Sequence, residues 1–349
     1  ESTFHKGYVA HAPIEPHTST AAFEGGKLTV WASTQTPFPT RDALAQALSL
    51  DPRNVRVVTP YVGGGFGGKS SGRQSEEAAR LAKITGRPVQ VAFTRAEEFF
   101  YDAFDPASIV RIVSAMDDDG KITLWDYDVY FAGDRAAQLF YDVPNARTRV
   151  YRGSREAGPA HRFGTGPWRA PGANMNVWAR ESHVDVMAAA AGIDPVEFRL
   201  RNMADERMGR VLREGAKAFG WNPAAAPSGR GWGAACGADS GTYAALAVEV
   251  KVDPATGAVR VERVVCAQDM GVVVNPDGAR MQIECCVAMG FGYVLREEVR
   301  RGSLLVSARR DLRGEPGAEL LVAALGQELG RTQRRIFLLL SFVHDSEAL

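Results

Sequence analysis

Tyr61-Val-Gly-Gly-Gly-Phe-Gly-Gly-Lys69-Ser70 is the stretch around which this chain is organised, because five glycines there surround a single phenylalanine. Glycine lacks Cβ and adopts positive φ freely, so a loop of this composition suits a backbone that another group approaches closely. A predicted strand, 55–58, leads into the loop, and a predicted helix begins near Ser75 and stops at Gly86. A strand, a glycine-rich loop and a helix in this order are typical of anion-binding loops.

One interpretation of this loop is a phosphate-binding P-loop. The run Gly63-x-x-x-x-Gly68-Lys69-Ser70 satisfies the phosphate-binding P-loop pattern, which makes a P-loop NTPase that uses Gly63–Ser70 one hypothesis. A P-loop, however, begins its helix at the Lys-Ser pair, whereas here Ser71-Gly72 interrupts the pattern. The best candidate for the Mg²⁺-binding carboxylate, Asp269, also lies far downstream. Another interpretation is that the loop is an ordinary tight connection between a strand and a helix.

Composition indicates a globular protein with room for two domains. The chain has 349 residues, of which 45% are hydrophobic and 23% charged, and its 41 basic and 41 acidic residues cancel. The mixed charge predicts no nucleic-acid partner, and the longest apolar run, 336–343, is too short to span a membrane. Because the chain starts without Met or a signal peptide, we expect a fragment or a separately encoded piece.

The potential metal-binding side chains have no ligand spacing. No CxxC or zinc-like pattern joins the cysteines, which are predicted to be buried small hydrophobes, and none joins the histidines, which are predicted to be structural. An acidic run at 117–119 is predicted to be a solvated turn. We therefore predict no iron–sulfur cluster in this chain. We also expect no FAD in it and no direct protein ligand to a metal. The residues concerned are Cys236, Cys266, Cys285, Cys286, His11, His17 and His183.

Predicted strands and helices follow one another in a pattern that favours a layered α/β or α+β domain. The predicted strands are 28–32, 55–58, 88–93, 109–116, 122–131, 243–252 and 258–267, and residues 132–171 read as irregular. The predicted helices are 40–50, about 75–85, 174–191, one opened by Asp194-Pro-Val-Glu197, 208–219, and 276 to about 299. An Ala- and Pro-rich run, 223–228, separates a first subdomain, 1–222, from a second, 229–299, and 300–349 forms a divergent tail.

Gly-Gly-Gly-Phe-Gly-Gly-Lys resembles a signature of the molybdenum hydroxylases, the xanthine dehydrogenase and aldehyde oxidase family, in their large molybdopterin-binding subunit. Five further blocks resemble the same subunit, in order along residues 8 to 299, and the branch resembled most is the bacterial isoquinoline 1-oxidoreductase-like one. Six ordered blocks are more specific than one glycine loop. The five are His11-Ala-Pro-Ile-Glu-Pro16, Ala32-Ser-Thr-Gln35, Trp168-Arg-Ala-Pro-Gly172, Glu181-Ser-His-Val-Asp185 with Asp194-Pro-Val-Glu-Phe-Arg-Leu-Arg-Asn202, and Asn275-Pro276 with Gln282-Ile-Glu284.

The resemblance implies an α+β, molybdopterin-binding-domain-like fold, with mixed sheets and packed helices in two subdomains. It also implies an oxidoreductase that hydroxylates an N-heterocycle or an aldehyde with oxygen taken from water. Its cofactor would be molybdopterin with molybdenum, in the cytosine dinucleotide form. Its partners would be an iron–sulfur subunit, a flavin or cytochrome subunit, and the remaining part of the large subunit. The expected location is the cytoplasm, with the periplasm as the alternative, and a non-catalytic remnant is the alternative function.

The resemblance also assigns roles to individual residues. Gln35 would donate to the oxo group of the cofactor, Phe66 would form a wall of the substrate cavity, and Arg169 would stabilise developing negative charge. These three are the predicted catalytic residues. Judged without the resemblance, Gln35 and Gln282 read as solvated polar residues and Arg169 as a surface arginine. The predicted cofactor-binding residues are Gly64, Gly65, Phe66, Gly67, Gly68, Arg169 and Gln282.

Two departures from the family pattern bear on activity. Cys285-Cys286 stands where the family usually has glycine, so we expect a narrower cofactor contact there. Glu315 lies in the Gly-Glu-Pro context of the family's catalytic base, but it follows Gln282 too closely and lies in the divergent tail, so it is not given that role. The tail beyond Val299 lacks Lys and stops resembling the family, as expected of translation in a shifted frame. This truncated chain is therefore expected to need more polypeptide for activity.

Overall fold

The computed structural model describes residues 1–295 and 297, except 102, 153–160, 162 and 223–228. In these ranges the chain forms three sheets, each covered by helices, which confirms the predicted α+β class. None of the helices in the same ranges is both long and apolar enough to cross a membrane.

The first sheet carries the glycine loop. Its strand order is β4-β3-β2-β5, and only the pair β3 and β4 is parallel. Two helices, α1 and α2, pack on it through small and aliphatic side chains such as Leu44 and Ala78, which allow a close approach. The loop joins β4 to α2. The bounds are β2 Thr18–Glu24, β3 Lys27–Ala32, α1 Pro37–Leu48, β4 Val55–Val58, α2 Arg73–Thr85 and β5 Val89–Ala92.

The second sheet has the strand order β1-β6-β7-β8 and packs against α4. Trp125 and Tyr127 of β7 are fully buried against the helix, together with Met175. A short helix, α3, precedes β6 and is capped by Thr94 and Glu97 in a reciprocal capping box. The bounds are β1 Ser2–Lys6, α3 Arg95–Phe100, β6 Ser108–Met116, β7 Ile122–Tyr130, β8 Asn145–Tyr151 and α4 Ala173–Ala191.

The third sheet has the strand order β11-β10-β9 and packs against α6. Asp194 caps α5 by accepting from the backbone N–H groups of Val196 and Glu197. Helix α7 follows β11 and returns the chain towards the glycine loop. The bounds are α5 Pro195–Asn202, α6 Glu206–Phe219, β9 Arg230–Asp239, β10 Thr242–Val252, β11 Val259–Asp269 and α7 Pro276–Leu295.

A buried ion-pair cluster ties α4 to α5. Arg199 Nε lies 2.9 Å from Glu181 Oε2, and Arg199 Nη1 lies 2.5 Å from Asp185 Oδ1. Burial opposes ionisation of Glu181, but the charges of Arg199 and Arg180 outweigh it and hold its pKa below the ordinary value. At Asp185 the effect of burial exceeds the opposing effect of the Arg199 charge and raises the pKa to about 7. The cluster consists of Tyr141, Arg180, Glu181, Asp185 and Arg199.

Most predicted elements are confirmed, and the errors have local causes. The strand 55–58 and the helix ends at Gly86 and Gly192 are observed. The predicted strands 109–116 and 122–131 pair as an antiparallel hairpin, and so do 243–252 and 258–267. The helix predicted from Thr40 begins at Pro37, because proline suits the first helical turn, and Thr40 is buried inside it. The region predicted to be irregular contains β8, which pairs in parallel with β7. The predicted boundary at 223–228 and the tail from 300, with Glu315, lie outside the described residues.

Candidate functional site

The glycine loop adopts a tightly folded conformation with left-handed residues. Gly64 and Gly67 have φ of 94° and 105°, and Phe66 has φ of 54°, which is uncommon for a residue with a side chain. The loop closes through a hydrogen bond from Gly68 N–H to the carbonyl of Gly65 at 2.9 Å. Strained backbone of this kind persists only where its surroundings hold it.

Neighbouring protein groups explain why glycine is needed in the loop. A Cβ on Gly67 would overlap the carbonyl oxygen of Pro167, and one on Gly68 would lie 2.8 Å from His11 Cγ. His11 Nε2 in turn lies 2.8 Å from the same Pro167 carbonyl. The glycines therefore let the loop pack directly against the segment around Pro167, which is distant in sequence.

Gln35 lies beside the loop with its orientation determined by a backbone donor. Its Oε1 accepts from Gly67 N–H at 3.0 Å, and its own backbone N–H donates to the carbonyl of Lys69 at 3.1 Å. With the side-chain oxygen engaged, the amide Nε2 is the group left to donate to a ligand. The Gly67 N–H, which the glycine pattern suggested for the cofactor, is used inside the protein instead.

Arg169 and Phe66 are in direct contact. The backbone N–H of Arg169 donates to the carbonyl of Phe66 at 2.8 Å, and its guanidinium carbon lies 4.2 Å from the centroid of the Phe66 ring. Arg169 is itself left-handed, with φ of 45°. The Trp168 indole is fully buried and donates to the carbonyl of Ala10 at 3.1 Å. The structure thus brings together the three residues predicted to be catalytic, Gln35, Phe66 and Arg169.

Helix α7 contacts the Trp168-Arg169 segment of the site. Met289 Sδ contacts a guanidinium nitrogen of Arg169, and Tyr293 packs on Trp168 with ring centroids 5.2 Å apart. Gln282 lies seven residues before Met289, so helix geometry places it on the same face and about 10 Å further along the axis. The N-terminus of α7 is capped by Asn275, whose Oδ1 accepts from Gly278 N–H at 3.0 Å.

The two adjacent cysteines have different environments. Cys286 is buried in a small core with Val9, Trp168 and Tyr293, whereas Cys285 is exposed. The bulk of Cys286 is therefore taken up between α7 and Trp168. The predicted narrowing of the Gln282 contact stays a prediction.

The surroundings of the loop shift the pKa values of two nearby glutamates in opposite directions. Partial burial works to raise the pKa of Glu15, but hydrogen bonds from Lys69 and from Gly63 N–H outweigh it and keep that pKa below the ordinary value. At the end of α7, burial raises the pKa of Glu297, and the charge of Arg169 opposes the shift. The site therefore combines an ionised carboxylate beneath the loop with a fixed cation beside Phe66.

The geometry contradicts the P-loop hypothesis. Lys69 is fully buried, and its Nζ lies 2.7 Å from Glu15 Oε2. A short 3₁₀ turn, Gly68–Ser70, follows the loop, and α2 begins only at Arg73. Neither the lysine nor a helix N-terminus is thus presented to a phosphate in the loop.

The donors that remain suit an anionic, oxygen-rich ligand. Within the described ranges, the backbone N–H groups of Gly64, Gly65 and Phe66 have no protein acceptor. Gln35 Nε2 and the Arg169 guanidinium lie beside them. Across the same ranges no three His, Cys, Asp or Glu side chains converge as a metal site.

Comparison with known proteins identifies the family. A family profile described as a molybdopterin cofactor-binding domain matches residues 1–203, and a second of the same description matches residues 188–311. The chain belongs to the molybdopterin cofactor-binding family. The resemblance to molybdenum hydroxylase large subunits is thereby confirmed, and molybdopterin with molybdenum is the cofactor of this family.

Several curated relatives match this molybdopterin-binding chain. It is 29% identical to a subunit of the nicotinate dehydrogenase of Pseudomonas putida, over 84% of this chain and 28% of the relative. It is 31% identical to PaoC, the molybdenum-binding subunit of the aldehyde oxidoreductase of Escherichia coli O157:H7, over 72% of this chain and 38% of the relative. For the beta subunit of isoquinoline 1-oxidoreductase of Brevundimonas diminuta the identity is 28%, over 84% and 40%. The molybdopterin-binding chain spans less than half the length of each.

Solved structures share the fold. The aldehyde oxidoreductase of Desulfovibrio gigas matches with a TM-score of 0.73 and 17% identity, over 85% of this chain and 52% of that chain. The aldehyde oxidoreductase of Desulfovibrio desulfuricans matches with a TM-score of 0.74 and 16% identity, over 86% and 52%. The predicted molybdopterin-binding-domain-like fold is therefore confirmed.

Sequence reasoning missed three parts of the site. Glu15 lies within a quoted block but received no role, and Lys69 was considered only as a phosphate ligand. Glu15 and Lys69 lie 54 residues apart in the sequence, so no local signal pairs them. The contact of Met289 had no local signal, because it depends on where α7 returns to the loop.

Proposed function

We propose that this chain is the cofactor-binding part of the catalytic subunit of a molybdenum hydroxylase, one that oxidatively hydroxylates an N-heterocycle or an aldehyde with water as the oxygen source. The observation that carries the proposal is the convergence of Gln35, Phe66 and Arg169 around a loop with unused backbone donors. Family membership supports it, since these donors suit the oxygen-rich group that the family binds.

Particular residues would hold the cofactor. The backbone N–H groups of Gly64, Gly65 and Phe66 and the Nε2 of Gln35 would donate to its oxygen atoms. Arg169 would approach it from the Trp168 side, and Gln282 from α7. Gly67 and Gly68 would contribute indirectly, because their role in the protein is to let the loop approach Pro167 and His11. Bound molybdopterin supplies the two-electron redox chemistry of molybdenum, which side chains lack.

The protein's own groups would orient the substrate and stabilise charge. Arg169 is held in place by its contacts with Phe66 and Met289, so its cation is fixed before a substrate arrives. A preorganised cation stabilises developing negative charge without a reorganisation cost. The Phe66 ring, half-buried beneath that guanidinium, forms an apolar wall suited to a flat aromatic or carbonyl compound.

The wider assembly follows from the same proposal. The cofactor would be the cytosine dinucleotide form, and electrons would leave to an iron–sulfur subunit and then to a flavin or cytochrome subunit. The rest of the large subunit would complete the site, because the chain spans less than half of relatives that are themselves named as subunits. The organisation would be a first subdomain, 1–222, a second, 229–299, and a divergent tail, and the location would be cytoplasmic.

Elemental and cofactor analysis of the purified native complex tests the proposal. We expect molybdenum and a pterin nucleotide in amounts stoichiometric with this chain, and turnover of aldehydes or N-heterocycles with an artificial electron acceptor. Molybdenum without turnover would identify a non-catalytic remnant. A complex with neither molybdenum nor pterin would overturn the proposal.

A further inference from the structure

Glu15 makes three polar contacts with the two ends of the glycine loop. Its Oε2 accepts from Gly63 N–H at 2.7 Å and from Lys69 Nζ at 2.7 Å, and its backbone N–H donates to the Gly63 carbonyl at 3.2 Å. One carboxylate oxygen thus joins the first residue of the loop to the lysine that ends it.

Lys69 is held in a way that only an ionised partner allows. Its side chain is fully buried, so the ammonium depends on Glu15, whose side chain is 32% exposed. A buried charge that loses its partner is strongly destabilising, and it is therefore expected to leave its site rather than remain unpaired. The Lys69 carbonyl, meanwhile, accepts from Gln35 N–H and from Thr34 Oγ1, both at 3.1 Å.

These contacts connect Glu15 to the donors of the site. If Lys69 moves, the Gln35 backbone loses its acceptor, and Gln35 Oε1 is no longer held against Gly67 N–H. Phe66 lies between the two anchored ends, and its left-handed backbone persists only where its surroundings hold it. The shape of the loop is therefore expected to depend on the ion pair beneath it.

We propose that Glu15 and Lys69 are positioning residues, a charge-paired clamp that holds the glycine loop in its cofactor-binding shape. The role of the clamp in cofactor binding rests on the proposed function, whereas its effect on the loop does not. The clamp acts through Gly63, Gly67 and Gln35, and neither of its charged groups is presented to the cofactor.

Hydrogen–deuterium exchange of the full chain, resolved by peptide, tests the clamp directly. Glu15→Gln removes the charge and strands the Lys69 ammonium, so exchange in peptides covering 62–70 is expected to rise by about tenfold or more, while α2 and β7 keep wild-type protection. Lys69→Met removes the charge that needs a partner and leaves Glu15 to hold Gly63, so a smaller rise is expected. In Glu15→Gln/Lys69→Met no charge is stranded, and loop exchange should return to the level of Lys69→Met.

Glu76→Gln is the matched control, because it removes a glutamate from an exposed ion pair with Arg80 on the neighbouring α2. Loop exchange in this variant should equal that of the wild type. Unchanged loop exchange in Glu15→Gln would overturn the clamp, and so would an equal rise throughout the chain. If Glu15→Gln does not fold, Lys69→Met and the double variant decide alone, and wild-type loop exchange in both would overturn the proposal.

Molybdenum content of the native complex gives the second readout. It should fall in Glu15→Gln by about the same factor as loop protection, recover partly in the double variant, and stay at the wild-type level in Glu76→Gln. Full molybdenum content in Glu15→Gln despite a loosened loop would overturn the positioning role. A wild-type complex without molybdenum would instead contradict the proposed function. The hydrogen–deuterium exchange experiment would still decide whether the clamp exists.

Discussion

The glycine loop and the buried ion-pair cluster use the same kinds of contact under opposite conditions. In the cluster, Arg199 joins two carboxylates between packed helices, and every member lies in the core. In the loop, one ion pair between Glu15 and Lys69 supports a half-buried backbone in which the N–H groups of residues 64–66 remain available. Buried charge thus joins packed helices in one region, and we propose that it holds the shape of a cofactor-binding loop in the other.

The largest expected effect is on the cluster. Arg199→Met would leave Glu181 and Asp185 buried without their common partner, so the free energy of unfolding should fall by about 3–5 kcal/mol. Urea titration followed by circular dichroism measures it. Arg210→Met is the control, because Arg210 pairs with Asp269 at an exposed position and should cost less than about 1 kcal/mol. Equal losses in the two variants would contradict the distinction between buried and exposed pairs.

The next largest effect is expected for Gly67→Ala, which is compared with the same substitution at Gly86, a left-handed glycine outside the loop. Gly67→Ala forces a methyl group into the Pro167 carbonyl and strains the backbone, so it should cost about 3 kcal/mol and sharply reduce molybdenum in the native complex. Gly86→Ala is the matched control: Gly86 also has positive φ, 63°, but nothing lies within 4 Å of the added methyl group. It should cost about 1 kcal/mol and leave molybdenum unchanged. Normal molybdenum content in Gly67→Ala would contradict the close approach.

A third prediction concerns acid stability beside the cluster. Burial lowers the pKa of His183 from 6.5 to about 4, while its ring nitrogens contact Ser114 and Ser2. The unfolded chain thus binds a proton that the folded chain rejects, and this residue removes stability as pH falls from 6.5 towards 4. His183→Gln should spare about 2 kcal/mol of the loss by pH 5, as measured by urea titration at pH 7.5 and 5. An unchanged pH slope would show that the histidine does not control it.

The last prediction is a stability slope of opposite sign, and of similar size, in the same helix. Because the folded pKa of Asp185 is about 7, above the ordinary 3.8, its folded form takes up a proton first and gains stability as pH falls below 7. Asp185→Asn removes this gain, so the variant should lose stability on acidification more steeply than the wild type, by about 2–3 kcal/mol at pH 5. Read with His183→Gln, the two variants should tilt the pH profile in opposite directions. Parallel profiles would refute the assignment.

The parts of the site that could be predicted were those with local chemical signals. Gln35, Phe66 and Arg169 were identified through blocks that resemble a family, and the structure brings them together. Met289 and the parallel strand β8 were not predicted, because each depends on a partner far along the chain. The roles assigned to the site residues stay predictions until cofactor binding is measured.

The sequence by itself determined the local elements of this protein. Gly86 and Gly192 end their helices in the left-handed conformation, and Asp194 opens the next one, because these effects act over a few residues of one segment. Only the tertiary structure decided what the glycine loop faces. Lys69 points towards Glu15, Gln35 accepts from Gly67 N–H, and the Pro167 carbonyl leaves no room for a side chain at Gly67. The two residues of each pair lie 32 to 100 residues apart in the sequence. Contacts over such separations form only when whole elements pack, so no local pattern encodes them.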